Sequence, residues 1–92
     1  MHDRPLFIVL RREWFEAFSN GSKCDEWRRY GPRWNEITCR PGRRVVLSLG
    51  YTPRRLYGVV VAFRIRKATG AAAAIYGRGT ECAVITLRLD AA

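Results

Sequence analysis

The sequence predicts a small barrel of mixed α+β type with one early helix, formed by a single domain over residues 1–92. Several short apolar segments, separated by Gly, Pro and Asn turns, have the composition of strands. Only one segment, close to the N-terminus, spaces its apolar residues as a helix does. The chain has 92 residues, which is the length of one domain, and we find no repeat or linker that would divide it. Closing the sheet into a barrel would remove edges that so small a core cannot protect.

The N-terminal part is predicted to contain a strand, a helix and a turn. Pro5–Leu10 is rich in β-branched and aromatic residues and begins with proline, as a buried opening strand can. Arg11–Ser19 follows as a helix, because Trp14 and Phe18 are four residues apart and share one face. Asn20–Gly21 then ends the helix with residues that accept a left-handed conformation.

The next segment, Lys23–Tyr30, is predicted to be a strand with charged residues on both faces. One face of a strand is ordinarily buried, so this pattern indicates either an edge strand or a strand whose charged face lines a cavity. Both interpretations stay open at this point. Gly31–Gly42, rich in Pro, Trp and Arg, is predicted to be a loop that can include a short helical turn.

Further strands are predicted at Arg43–Tyr51, at Arg54–Lys67, as one long strand or a bent pair, and at Cys82–Leu89. In the long middle strand, Gly58 indicates a bulge, and alternation predicts an apolar face formed by Val59, Val61, Phe63 and Ile65. The closing strand is predicted to point Ala83, Ile85, Leu87 and Leu89 inward. Between these two strands, Ala68–Gly79 is predicted to be a turn rich in alanine and glycine.

The charge is strongly positive and unevenly distributed. Seventeen Lys and Arg residues against eight Asp and Glu give a net charge of +9, and 28–55 alone carries eight cations and one acid. Fifteen of the cations are arginine, whose planar fork suits phosphates and bases, so we expect RNA, a nucleotide or a nucleoside as partner, with DNA as an alternative. Codon bias is another source of the preference for arginine, but it does not explain the net charge.

Several other classes of protein are not expected. The longest apolar runs, such as 59–63, are far shorter than the roughly 20 residues of a membrane span, and the N-terminus lacks the apolar core of a signal peptide. Cys24, Cys39 and Cys82 are widely spaced and His2 is the only histidine, so we expect no metal site, no cofactor and no His-based triad. Free thiols without a disulfide framework are typical of a cytoplasmic protein.

One short segment combines groups that could form a site. Lys23, Asp25, Glu26 and Arg28 fall within six residues, directly after the turn that ends the predicted helix. If Lys23 leans over the face that carries Glu26 and Arg28, the three charges could bind a polar ring or exchange a proton. The alternative is a solvated hairpin edge, whose ion pairs contribute about 0–1 kcal/mol each.

This segment, Gly21-x-Lys23-x-x-Glu26-x-Arg28, resembles the Gly-x-Lys-x-x-(Thr or Glu)-x-Arg signature of the ASCH domain. Val45–Tyr51, reading Val-Val-Leu-Ser-Leu-Gly-Tyr, is similar to a stretch of the small bacterial and phage members of that family. The resemblance extends from about Pro5 to Leu89. It implies a PUA-like β-barrel with a pocket beside it that takes RNA or a modified nucleotide.

The same resemblance offers an enzymatic alternative. Some ASCH proteins are amidohydrolases of acetylated cytidine and at least one is described as a ribonuclease. In the amidohydrolases the signature lysine and the polar residue three positions later are catalytic, roles that fall on Lys23 and Glu26 here. This chain has Glu26 where those enzymes have Thr, and it lacks the insert that supplies their second carboxylate. Glu81, the only late glutamate, has no assigned place in the pocket.

Binding is the leading hypothesis, because aromatic residues alternate with arginines around the signature. Aromatic faces stack bases and neighbouring arginines bind phosphates. The alternative for Trp27 and Trp34 is that they anchor the core or a loop. The predicted ligand-binding residues are Lys23, Glu26, Trp27, Arg28, Tyr30, Trp34, Tyr51, Arg54 and Arg55, within a belt of arginines from Arg28 to Arg55. A hydrolase using Lys23 and Glu26 is the second hypothesis, and a basic regulator that binds another protein is the third.

Overall fold

Five strands form one curled sheet, a half-barrel, in a computed structural model that describes residues 4–91. Along the chain the elements are β1 (Leu6–Leu10), α1 (Arg12–Ser19), β2 (Asp25–Arg29), β3 (Arg44–Leu49), β4 (Arg55–Lys67), α2 (Gly70–Tyr76) and β5 (Glu81–Leu89). The strand order is β1-β3-β4-β5-β2, with β1 parallel to β3 and the other pairs antiparallel. The predicted α+β class and barrel-like shape are therefore confirmed, while β1 and β2 remain as two edges.

The core lies between α1 and the inner face of the sheet. Alternate strand residues such as Ile8, Leu47 and Ile85 are fully buried there. On α1 the prediction placed Trp14 and Phe18 inward, but Phe15 is also buried and Trp14 is only partly so. At 100° per residue, Phe18 lies between the other two on the helix surface, so the buried stripe is centred on Phe18.

The bulge in β4 is at Val61 rather than at Gly58, so the predicted bulge and apolar face are wrong. Register with β5 shifts between Val60 and Ala62, and Val61 is the extra residue. Val60, just before the bulge, points into the core, while the inserted Val61 is 41% exposed. The insertion reverses which residues of β4 face the core. Phe63, beyond the bulge, does pack against the core.

Gly58 has a different role, which is to let β4 and β5 approach closely. A Cβ at this position would lie 2.5 Å from the carbonyl oxygen of Arg88 and 3.0 Å from the Cα of Leu89. Both are backbone atoms of the neighbouring strand and cannot rotate away. Only glycine, which has no Cβ, therefore fits at position 58 without displacing β5.

The alanine-rich segment forms a second helix, α2, where a turn was predicted. Alanine has the highest intrinsic helix propensity, and Gly77, at φ +96°, follows the last turn of the helix. The small side chains let α2 lie against the outer face of β5, where Ala68, Ala72 and Cys82 form a second small core. As a result β5 is buried on both faces at Cys82–Ile85.

We expect Gly58→Ala to lower the free energy of unfolding by about 1–3 kcal/mol, because the added methyl group must displace the β5 backbone. Gly31→Ala is the matched control: no atom lies within 4 Å of its Cβ position and its φ is not positive. Denaturant unfolding of both variants measures the difference. Equal stability of the two variants would contradict the close approach.

Candidate functional site

The side chain of Arg28 joins the two open edges of the sheet. Its Nη2 donates a hydrogen bond to the carbonyl oxygen of Val9 on β1 at 2.9 Å, and its Nε donates to Oε2 of Glu26 at 2.8 Å. Both interpretations of the charged strand therefore apply. It is an edge strand, and the charged face that carries Glu26 and Arg28 is turned inward.

The Glu26 carboxylate is the centre of a charged cluster formed by Lys23, Glu26 and Arg28. Glu26 is only 6% exposed, and the second oxygen of its carboxylate, Oε1, lies 3.6 Å from Nζ of Lys23. A carboxylate so far from water requires partners of opposite charge, and here it has two. The cluster carries a net charge of +1, directed toward the space between the sheet edges.

The turn after α1 places Lys23 in this cluster. Gly21 adopts φ +82°, which glycine accepts without strain, and the backbone N–H of Lys23 donates to the carbonyl of Ala17 at 3.1 Å. The lysine stem thereby folds back under the helix. Its Nζ lies 5.2 Å from the ring centre of Trp14 and 5.4 Å from that of Phe18, within the range of cation–π attraction.

A cleft of about 400 Å³ opens above the cluster, between β1, β2 and the two helices. Its walls are largely apolar and include Trp14, Trp27, Ile75 and Tyr76. The hydroxyl of Tyr76 donates to the carbonyl of Trp27 at 3.3 Å, which fixes α2 to the outer edge of β2. The cleft thus combines aromatic walls with a charged floor.

Tyr76 is held in its protonated form by its surroundings. Burial raises the pKa of its hydroxyl, and the nearby guanidinium of Arg28 offsets part of that rise. The neutral hydroxyl is the form that can donate to Trp27. The link between α2 and β2 therefore depends on this proton.

The other aromatic residues predicted for binding lie outside the cleft. Tyr30 donates to the Glu36 carboxylate at 2.6 Å, which raises the pKa of Tyr30 and lowers that of Glu36. Trp34 packs against the core. The Arg28 guanidinium lies 4.9 Å from the centre of its ring, within the range of cation–π attraction. Tyr51 is 95% exposed in a turn.

The predicted arginine belt is divided among several places. Arg28 lies in the cluster, whereas Arg43 donates to the backbone carbonyls of Arg4 and Thr38. Arg54 lies 5.2 Å from the ring centre of Phe15 and 3.4 Å from the Glu16 carboxylate. Arg55 lies over the ring of Phe7, on the outer face of the sheet.

Several contributors to the cleft were missed from the sequence: the carbonyl of Val9 and the side chains of Arg11, Trp14, Ile75 and Tyr76. A run of alanines followed by Ile75 and Tyr76 is itself a signal for a helix that ends in apolar residues. It does not show which surface that helix covers. The position of Val9 depends on the sheet order, which the sequence does not state.

The groups that could support other chemistry lie apart from one another. Within residues 4–91 no group of three or more His, Cys, Asp or Glu side chains is close enough to hold a metal ion. Cys39 and Cys82 are buried, Cys24 is exposed, and Glu81 is exposed at the start of β5, away from the cleft. His2 lies outside the described residues.

Neither helix between residues 4 and 91 has the length and apolar character needed to cross a lipid bilayer. The sequence matches no protein-family model and no curated protein.

We expect Glu26→Gln to lower the free energy of unfolding by about 1–3 kcal/mol, because it leaves Lys23 and Arg28 without the buried charge they share. Glu16→Gln, which breaks ion pairs with Arg12 and Arg54 on the surface, should cost less than about 1 kcal/mol. Denaturant unfolding in parallel compares the two. A loss no larger at Glu26 than at Glu16 would contradict the central role of the cluster.

The raised pKa of Tyr76 predicts a loss of stability at alkaline pH. In the unfolded chain a tyrosine ionises near pH 10, while the folded Tyr76 keeps its proton to higher pH. Stability from Tyr76 is thus complete below about pH 10 and is lost as the pH rises through the folded pKa. The stability advantage of the wild-type chain over Tyr76→Phe should be steady near pH 8 and shrink as the pH rises from about 10 to 11. A constant difference across that range would refute this.

Proposed function

We propose that this protein is an RNA- or nucleotide-binding member of the ASCH family, and that the cleft receives one nucleotide with its base above Lys23, Glu26 and Arg28. The observation that carries the proposal is the meeting of these three residues of the Gly-x-Lys-x-x-Glu-x-Arg segment at the floor of an aromatic cleft. The sequence resemblance to the signature and the barrel-like sheet agree with it.

The charged cluster has hydrogen-bonding capacity to offer a base. The Glu26 carboxylate can accept from an amino group in addition to its present contacts, and Lys23 and Arg28 each have further N–H donors. Because the cluster is already held in place by β1 and α1, little ordering would be needed when a base binds. A base edge therefore finds both donors and an acceptor.

The size and walls of the cleft suit a flat ring. Small-molecule sites are clefts of about 300–1,000 Å³, lined mainly by apolar and aromatic residues, and about 400 Å³ lies in that range. Trp14, Trp27 and Tyr76 supply the aromatic surface on which a base can stack. Arg11 lines the cleft, in position for a phosphate, and Arg29 lies beside it, 5.8 Å from the ring centre of Tyr76, which is a lining residue.

The hydrolase alternative, with Lys23 and Glu26 as catalytic residues, has weaker support. Lys23 lies against a carboxylate and two aromatic faces, and all three attract a cation. A lysine acting as base or nucleophile must give up that charge. Glu81, at the start of β5, is not among the residues that line the cleft and supplies no second carboxylate to it. Binding is therefore the better-supported function.

We expect mononucleotides to quench the fluorescence of Trp14 and Trp27, which line the cleft. Lys23→Met keeps the apolar stem but removes the charge, and it should weaken binding about tenfold or more. Lys67→Met is the matched control: it removes the only other lysine, at the exposed end of β4, and should leave affinity nearly unchanged.

The same incubations, analysed by mass spectrometry with acetylated cytidine and short RNAs included, separate binder from enzyme. We expect all substrates to be recovered intact. Deacylation or RNA cleavage that disappears in Lys23→Met would replace the binding proposal with the hydrolase. A chain that neither binds nor converts any of these compounds at low salt would refute both and favour a protein partner.

A further inference from the structure

The outer face of the sheet carries two exposed aromatic rings, on β1 and β4, in a row that crosses three neighbouring strands. Phe7 on β1 pairs with Val46 on β3, which pairs with Tyr57 on β4. Phe7 is 45% exposed and Tyr57 is 53% exposed. Two aromatic rings thus stand on the solvent side of the sheet, where a monomeric protein ordinarily presents polar groups.

Arginines surround this row. The guanidinium of Arg55 lies 5.4 Å from the ring centre of Phe7, and its Nη1 donates to the carbonyls of Thr52 and Arg54, which leaves its other N–H groups for a ligand. The next row of the sheet carries Arg44 and Arg88, with Val59 between them. Asp90 is the acid at this site, and it contacts Arg44. We call Phe7, Val46, Tyr57, Arg44, Arg55 and Arg88 the outer-face platform; with Asp90 included, its charge is +2.

We propose that the outer-face platform binds a single strand of nucleic acid by stacking two of its bases on Phe7 and Tyr57. The two rings are two strand spacings apart, about 10 Å, so each ring can take a different base of the same strand. Exposed aromatic rings on a sheet, flanked by cations, are a general means of holding unpaired bases while the arginines bind the phosphates. Duplexes, whose bases are already stacked, do not fit this chemistry.

The charges on this face disfavour a second copy of the chain as the occupant. Two platforms in contact would bring six arginines together against two Asp90 carboxylates, in a protein with a net charge of +9. A phosphate backbone supplies the opposite charge and bases supply flat apolar faces. A single strand therefore satisfies both features of the platform.

This proposal does not depend on the function of the cleft, and the two can be measured separately. Trp14 and Trp27 line the cleft and Trp34 packs against the core, so none of the three tryptophans belongs to the platform. Mononucleotide quenching of tryptophan reports the cleft. Anisotropy of a fluorescein-labelled ten-nucleotide oligouridine reports binding of a strand.

The first test removes the rings from the full-length chain. Phe7→Leu combined with Tyr57→Leu should weaken oligouridine binding at least tenfold while mononucleotide quenching is unchanged. Tyr57→Phe, which keeps the ring, should bind within about twofold of the wild-type chain. Oligothymidine should bind like oligouridine, because neither stacking nor phosphate contact reads the 2′-hydroxyl, and a duplex of equal length should bind at least tenfold more weakly.

The second test removes the cations and keeps the rings. Arg55→Gln with Arg88→Gln should make the slope of log affinity against log salt shallower by about 1.4, the contribution of two phosphate contacts on a single strand. Arg12→Gln with Arg78→Gln is the matched control, because it removes the same charge from exposed positions outside the platform. Its slope should equal that of the wild-type chain.

Three results would overturn the proposal, whatever the cleft does. One is oligouridine affinity that survives the loss of both rings. Another is an equal fall in slope for the two arginine variants, which would indicate attraction to net charge alone. The third is a wild-type dimer by light scattering that becomes monomeric when Phe7 and Tyr57 are replaced, which would make this face a contact between copies. Absence of mononucleotide binding alongside ring-dependent oligouridine binding would refute the cleft proposal only.

Discussion

The buried carboxylate of Glu26 links β2 to α1 through Lys23 and to β1 through Arg28, and within residues 4–91 no backbone hydrogen bond joins β1 to β2. One of its partners, Lys23, is anchored on the rings of α1, and the other, Arg28, reaches the carbonyl of Val9 on β1. β2 is thereby tied to the opposite edge of the sheet and to the helix that covers the core. In a closed barrel a backbone ladder would make this connection. Here the side chain of Arg28 makes it, held in place by Glu26.

The same connection creates the cleft, so stability and recognition depend on the same groups. Because side chains rather than backbone span the gap, β1 and β2 stay apart and leave a space that ends on the charged cluster. α2 closes the far side, where Tyr76 caps the free carbonyl of Trp27 at the strand edge. A ligand in this space meets groups that are already fixed by the fold, which lowers the entropy lost on binding.

The strands and the charged cluster could be predicted from the sequence because their signals are local. Lys23, Glu26 and Arg28 are close along the chain, and alternation alone puts Glu26 and Arg28 on one face. Other features depend on contacts between distant segments. The bulge was predicted at Gly58 but lies at Val61, because its position depends on how β4 fits against β5. Gly58 is instead needed for the close approach of the two strands. The helix at Gly70–Tyr76 was locally visible in its alanines, but its packing on Cys82 was not.

The net charge of the sequence does not show which role each arginine has in the structure. Arg43 donates to backbone carbonyls, and Arg28 bridges strands above the ring of Trp34, so both are occupied in holding the structure. Arg88, by contrast, projects from the outer face of the sheet. Arg55 lies over Phe7 on the same face, although its guanidinium also donates to the backbone carbonyls of Thr52 and Arg54. A run of basic residues that looks uniform in the sequence therefore separates into arginines that stabilise the domain and arginines that present charge. Electrostatic attraction of a polyanion is governed by the second group, and its strength depends on the surface that these arginines share with the aromatic rings.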